Sequence, residues 1–412
     1  MKLLILGGGN NQINAIKRSK EKGITTIVSD YYEDAPGKEI SDYGELVSTF
    51  DVEGNMKVAK KYDIDGIMTI GTDQPIYTVA KVANELKIPS FLSVDTAKAV
   101  TNKRVMKKVF DDNNIPTVNY VLINRNFKES ELKNIKFPVV IKPVDSQGQR
   151  GIFKLNSIDE IREKIEDTLS FSREDVVLVE EYYKSEEITV SGWVHEGNTH
   201  IILVTDRVTF TSNKHIGICL AHDFPSKFLY EYHEDIYDIT RQIVEAFKIK
   251  EGPIYFQMLI GNEGIKVNEV ACRIGGAYED QLIPLLTGID ILDMVIDYSL
   301  GKKVDCTKLQ KYDLLKNNKK ASVQLFFARP GKIKDLSDLT EINNLPGIVE
   351  AKFNFKVGDE LKKIVNATAR AGYMIIVGKD NETLANNINR AFKHLKIYDE
   401  EGNNLVTQYK IY

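Results

Sequence analysis

The stretch from Ile254 to Gly276, IYFQMLIGNEGIKVNEVACRIGG, constrains the fold most, since two runs of strand-forming residues flank Asn262-Glu263-Gly264. Such runs satisfy their backbone groups by pairing, and a loop of this length with Gly264 in the left-handed position predicts a hairpin. The register then sets Gln257 across from Glu269, with both side chains on one face. Arg273 follows Glu269 by four residues and falls near that face if the strand continues. A carboxylate, an amide oxygen and a guanidinium on one face suit Mg²⁺ held against phosphates. Hard oxygens ligate the cation, and the arginine neutralises phosphoryl oxygens. A water-facing amphipathic hairpin has the same pattern, so the reading depends on what precedes it.

At 412 residues the chain has room for two or three domains. Its 55 basic and 59 acidic residues leave a net charge of −4, which offers no general attraction to nucleic acid or an anionic membrane. No apolar run approaches the ~18 residues of a membrane span, and MKLLILGGG turns at glycine too early for a signal peptide. Cys219, Cys272 and Cys306 are odd in number and scattered, so no disulfide framework is expected and a reducing cytoplasm is. Cys219 and His222 lack a second pair of metal ligands, which leaves them as ordinary interior residues.

In chain order, residues 3–6 predict a strand, the run Gly7-Gly8-Gly9-Asn10-Asn11-Gln12 a turn, and residues 13–22 a helix. A second strand ends at Asp30. This βαβ opening partly fits a dinucleotide fingerprint but fails where Gln12 replaces the third glycine. A helix over 55–62, a strand over 66–70, the turn Gly71–Gln74 and a helix over 76–86 continue the alternation. A parallel sheet flanked by helices follows, and its ligand loops would be Gly7–Gln12 and Gly71–Gln74.

Residues 101–113 predict an amphipathic helix with Lys103 in its first turn. The strand 139–142 ends in Lys142-Pro143, and IFKL returns as its partner after Asp145–Gly151. A flexible glycine loop beside a strand lysine can fold backbone N–H groups over phosphates, although the GxxxxGK[ST] loop is absent. The strand 176–183 runs into Glu180-Glu181-Tyr182-Tyr183, and Glu187 lies in the next strand. Backbone groups at such an edge can pair with adenine while a nearby carboxylate holds ribose hydroxyls.

The ordered set Lys103, Lys142 with its glycine loop, Glu180–Tyr183, Glu187, then Gln257, Glu269 and Arg273 resembles the ATP-grasp superfamily over about residues 1–300. The resemblance implies an α/β chain with three domains. These are a Rossmann-like domain over 1–95, an ATP-grasp domain over 96–301 with a mobile lid at about 116–185, and a small α+β domain over 302–412. It implies that Lys103 and Lys142 contact ATP phosphates and that Ser146, Gly148, Arg150 and Gly151 belong to the phosphate-covering loop. Glu180, Glu181, Tyr182 and Tyr183 match the adenine hinge, and Glu187 the ribose acid. Gln257 and Glu269 match the metal ligands, for Mg²⁺ or Mn²⁺, and Arg273 the arginine at the reacting phosphate; Lys142 joins it in the catalytic set. Two departures thin the metal site: Gln257 replaces the usual glutamate, and Ala271 a metal-ligating asparagine found in many members.

The motif Glu269-Val-Ala-Cys-Arg273-Ile-Gly-Gly is similar to the L-amino-acid-ligase-like subgroup. It implies a cytoplasmic enzyme joining a small-molecule carboxylate and an amine through an acyl phosphate, in a family that often forms homodimers, with no nucleic-acid or membrane partner. A bicarbonate-using carboxylase, a phosphoribosylamine–glycine ligase-like enzyme and a silent nucleotide binder are the alternatives. Residues 302–320 predict a polar connection, and a helix capped near Asp380 and Asn381 closes the last domain. Arg329, Arg370 and Tyr373 fall where a substrate carboxylate is within reach, although the surface is the ordinary place for each.

Overall fold

The computed structural model describes residues 1–210, 217–410 and 412. Its first unit is a four-stranded parallel sheet ordered Tyr43–Leu46, Thr25–Asp30, Lys2–Leu6, Gly66–Met68. Leu3, Leu4, Ile5 and Leu6 are all buried, as a continuous apolar run requires when both faces of a sheet are covered. Helices Ile13–Glu21, Val52–Tyr62 and Pro75–Leu86 alternate with these strands, as predicted. The Asp30 carboxylate is consumed locally, accepting from Gly8 N (2.8 Å) and Tyr32 N (2.9 Å). Each Asp30 oxygen is thus already engaged within the fold, one of them by the glycine turn itself.

The helix predicted over 101–113 is Lys103–Asp112, and a further helix, Val94–Thr101, precedes it. Asn102 breaks them: its backbone is extended and its Oδ1 accepts from Val105 N at 3.2 Å. This break makes Lys103 the first residue of the second helix. A small antiparallel sheet follows, ordered Tyr120–Ile123, Val177–Glu181, Val139–Pro143, Phe153–Leu155. Helix Ile158–Leu169 covers it, and the unit has its own apolar cluster including Phe127, Val139, Ile141, Ile161 and Val179.

The largest sheet is antiparallel and runs Gly264–Ala271, Gly252–Gly261, Ser185–His195, Asn198–Thr209, Cys219–Phe224, Lys320–Ala328, Gly372–Gly378, Ile348–Phe353. Its last three strands come from the chain beyond residue 302. The C-terminal segment therefore continues the central sheet, with Ala221 opposite Gln324 at the join. The polar stretch 302–320 contains a short helix, Thr307–Lys311. Helix Asn381–His394 starts where Asp380 Oδ1 accepts from Thr383 N at 2.7 Å.

The hairpin keeps the predicted pairing of Gln257 with Glu269 by a different route. Gly261 pairs with Gly264, so the loop is Asn262-Glu263 alone, and a bulge at Asn268 restores the register. The shorter loop and the extra residue cancel. Arg273 lies beyond the last paired residue, Ala271.

The parallel sheet also packs tightly on the helix Ile291–Ser299, where a Cβ at Gly66 would lie 2.2 Å from the Ser299 carbonyl oxygen. Backbone cannot yield as a side chain can. Gly66→Ala is expected to cost about 1–3 kcal/mol in chemical denaturation, and an unchanged midpoint would contradict this close approach.

Candidate functional site

A cleft of about 620 Å³ opens between the small antiparallel sheet and the central one. That is within the usual size range for a small-molecule site. The segment Glu180–Glu187 forms one wall, and Lys142, Gln257 and Asn268 stand at its inner end.

The inner end is organised around one carboxylate. Glu180, 3% exposed, lies between two buried lysines: its Oε1 is 2.6 Å from Lys107 Nζ, and its Oε2 pairs with Lys142 Nζ. Burial opposes ionisation of Glu180, but the two ammonium groups overcome it and bring its pKa down to about 2. Lys107 moves the other way. Burial, helped by Lys142, lowers its pKa although Glu180 favours the charge. Both directions follow from two cations sharing one anion. Lys142 Nζ also donates to Asn268 Oδ1 at 3.2 Å, which joins the small sheet to the bulge of the hairpin.

Two further ion pairs lie beside this triad. Lys103 Nζ is 3.0 Å from Glu269 Oε1 and donates to the Ser146 carbonyl at 2.9 Å, tying the glycine loop to the hairpin. Arg273 directs Nε and Nη2 at one oxygen of Asp73, each at 2.6 Å, with its guanidinium carbon 4.7 Å from the Tyr255 ring centroid. Burial raises the Asp73 pKa despite that arginine. Within these ion pairs four cations thus face three carboxylates, Asp73, Glu180 and Glu269, an excess of one positive charge.

The glycine loop leans on the first domain. Gln147 Oε1 accepts from Asp73 N (2.7 Å) and Gln74 N (3.2 Å), and its Nε2 donates to Thr72 Oγ1 (2.5 Å). Gly148, Gln149 and Gly151 have positive φ. Of this loop Gln149 lines the cleft, whereas Ser146, Gly148, Arg150 and Gly151 do not.

Glu181, Tyr182, Tyr183 and Glu187 all line the cleft, each with a partner. Glu181 accepts from Asn119 Nδ2 (2.8 Å) and Lys136 N (2.9 Å), and the Lys154 ammonium sits 3.5 Å above the Tyr182 ring centroid. The Tyr183 hydroxyl donates to Gly264 O (2.8 Å) and accepts from Glu263 N (2.9 Å), clasping the hairpin turn. Glu187 pairs with buried Arg207, which also donates to Gly217 O at 2.7 Å.

A second polar group lies beyond Arg273. Glu279, 2% exposed, accepts from Ala277 N at 2.8 Å through Oε2, while Oε1 is buried with no hydrogen-bond partner. Burial raises its pKa. Gly275 makes room for it, since a Cβ there would lie 2.3 Å from Glu279 Cδ. Burial lifts Asp280 to about 6 although Asn14 Nδ2 donates to it at 2.8 Å. The surface expectation for Arg370 and Tyr373 fails here. Arg370 donates to Gly276 O at 3.1 Å, and Tyr373 is buried, stacked on Tyr278 with centroids 3.5 Å apart. Arg329 does stay outside, donating to Asn404 O at 2.7 Å. Cys219 and His222 make no metal pair: His222 Nδ1 lies 3.2 and 3.0 Å from the Thr189 and Thr205 hydroxyls.

Sequence reasoning missed Lys107, Asp73 as the partner of Arg273, Asn268, Gln147, Arg207 and Glu279. Lys107 was signalled by its spacing, four residues after Lys103 on one helix. Glu279 has a local partner in Ala277 N, while the other partnerships are long-range and leave no local pattern.

The Glu180 pKa has a pH signature. A carboxylate held below its unfolded value of 4.5 contributes stability that is present above that pH and lost as pH falls towards about 2. Glu180→Gln is therefore expected to flatten the fall in stability between those limits, removing a term on the order of 3 kcal/mol. Urea denaturation of both proteins at a series of acidic pH values measures it, and parallel curves would contradict the triad.

Residues 135–280 match the family model of the ATP-grasp domain, and residues 323–400 match that of L-amino acid ligase C-terminal domain 2. The chain is 27% identical over 177 residues to carbamoyl-phosphate synthase of Methanobrevibacter smithii, a match covering 42% of this chain and 46% of that protein. It thus spans about half the length of that relative. It is 22% identical to the L-arginine-specific L-amino acid ligase of Bacillus subtilis, over 64% of each chain. The crystal structure of L-amino acid ligase from Bacillus licheniformis superposes with a TM-score of 0.81 at 16% identity, covering 97% of this chain and 98% of that one. The two family models are matched in order, so residues 135–280 form an ATP-grasp domain and residues 323–400 an L-amino acid ligase C-terminal domain.

Proposed function

We propose that the protein is an ATP-dependent carboxylate–amine ligase. The observation that carries this reading is the excess of buried positive charge at the inner end of the cleft, where a polyphosphate would end. Adenine would lie along Glu180–Tyr183, ribose by Glu187, and the phosphates against Lys142 and Lys103 beneath the loop Ser146–Gly151. The family models, and relatives named as amino acid ligases, support the same reading.

The residues suit one Mg²⁺ shared with phosphates. Glu269 and Gln257 present hard oxygens from facing positions, and among the described residues no group of three or more His, Cys, Asp or Glu could hold a metal unaided. When bound, the ion would neutralise phosphate charge. Lys103 would keep the Glu269 carboxylate oriented, and Lys142 would hold the phosphates.

A substrate carboxylate oxygen would attack the γ-phosphorus and ADP would leave, giving an acyl phosphate. The amine nitrogen would then attack the acyl carbon, lose a proton and expel phosphate as the amide forms. Arg273, fixed by Asp73, would stabilise the negative charge on the transferring group. Arg370, half-buried beside Gly276, would meet a charged end of the substrates. Among the described residues no helix is long and apolar enough to cross a membrane. The homodimer common in the family completes the reading.

ADP and phosphate release with pairs of amino acids tests this function. Stimulation by a carboxylate–amine pair, with an amide product, is expected; no stimulation by any pair would favour a silent nucleotide binder. Glu269→Gln should lower kcat by about 100-fold or more. Arg273→Lys keeps the buried charge of Asp73 matched, and its loss of fork geometry should fall on kcat by about 100-fold with ATP affinity little changed. An ATP affinity loss without a rate loss would place Arg273 in ground-state binding instead.

A further inference from the structure

Lys107 is 2% exposed and lies one turn after Lys103 on the helix Lys103–Asp112. It does not line the cleft. Its Nζ is 2.6 Å from Glu180 Oε1, donates to Thr117 Oγ1 at 2.5 Å, and stands 5.2 and 5.6 Å from the ring centroids of Tyr120 and Phe110. From there two routes lead to the same strand. Through Thr117, whose hydroxyl donates to the Val267 carbonyl at 2.8 Å, it reaches one residue of the hairpin. Through Glu180 and Lys142 it reaches the next, Asn268. The contacts close into a ring around the inner end of the cleft.

A buried ammonium is a poor choice for stability alone, because its desolvation is costly and an apolar side chain of like volume would pack there. Burial and the adjacent Lys142 do lower its pKa. What the charge supplies is position and sign. With Lys107 replaced by an apolar group, Glu180 and Lys142 would form a neutral pair, and Lys142 would be drawn to the carboxylate. With Lys107 present, Glu180 is shared, and the excess positive charge stays available to an anion in the cleft. We infer that Lys107 is a positioning residue: acting through Glu180, it sets the Lys142 ammonium for phosphates and supplies the surplus charge without touching the nucleotide. This rests on the nucleotide reading above.

Calorimetric titration of the full chain with MgATP tests it, using the parent, Lys107→Met, Lys107→Arg, Lys142→Met and the double variant Lys107→Met/Lys142→Met. Lys107→Met should weaken MgATP binding about tenfold, and Lys107→Arg should retain most of the affinity. In the Lys142→Met background, Lys107→Met should add nothing, because its route to the phosphates is already cut. Equal affinity in parent and Lys107→Met, or additive losses in the double variant, would overturn the inference while leaving the nucleotide reading intact. A parent that binds no MgATP would overturn the nucleotide reading itself. If Lys107→Met does not fold, Lys107→Met/Glu180→Gln removes the stranded carboxylate, and parental affinity in that variant would overturn the inference.

Discussion

The carboxylate of Glu180 shared between Lys107 and Lys142 fixes more of this molecule than any other contact. Ion pairs so buried cannot relax into water, and each partner is held by the penalty of leaving the others unpaired. Glu180 belongs to the small sheet, Lys107 to the helix that precedes it, and Lys142 reaches the hairpin of the central sheet through Asn268. One carboxylate therefore sets the relative placement of three elements. The same group faces the cleft where a nucleotide would bind, so the architecture and the site depend on a single charge.

A second constraint couples the first domain to the reacting end. Asp73 lies on a loop at the carboxyl end of the parallel sheet and is the partner of Arg273, two hundred residues later in the chain. The same loop receives Gln147 from the glycine loop. The Arg273 segment also shares an apolar cluster with the first domain through Ile70 and Ile274, whereas the glycine loop is held to this turn by hydrogen bonds. A polar junction of this kind opens and closes more readily than a packed one, because water can replace each of its contacts.

What was legible in the sequence is what local pattern dictates. The alternation of strands and helices in residues 1–86, the lysine at a strand end before a glycine loop, and the facing pair Gln257 and Glu269 all rest on periods of two or 3.6 residues. The hairpin loop was misjudged by one residue, and the bulge at Asn268 hid the error, since a bulge leaves no composition signal. Asn102 was passed over as a helix residue although its short polar side chain suits a cap. Arg370 and Tyr373 were assigned to the surface because nothing nearby in sequence announces Tyr278, Glu350 or Gly276 as their partners. Burial of polar groups is decided by long-range pairing, which periodicity does not carry.

The C-terminal segment shows how such pairing builds a site. Its strand Lys320–Ala328 joins Cys219–Phe224 edge to edge, so the last third of the chain is registered to the central sheet rather than tethered to it. That register brings Tyr373 against Tyr278 and Arg370 against the carbonyl of Gly276, immediately after Arg273. Tyr278 sits at φ +60, a left-handed conformation that a bulky side chain adopts only when its surroundings enforce it. Stacking on Tyr373 supplies that enforcement, and the next residue is Glu279, whose carboxyl is half satisfied and fully enclosed. A buried acceptor left open in this way costs on the order of 1–3 kcal/mol. The C-terminal strands therefore do more than cover the sheet: they add the Tyr373 stack and the Arg370 bond to the local contact of Ala277 N with Glu279, and so help hold a strained turn beside Arg273.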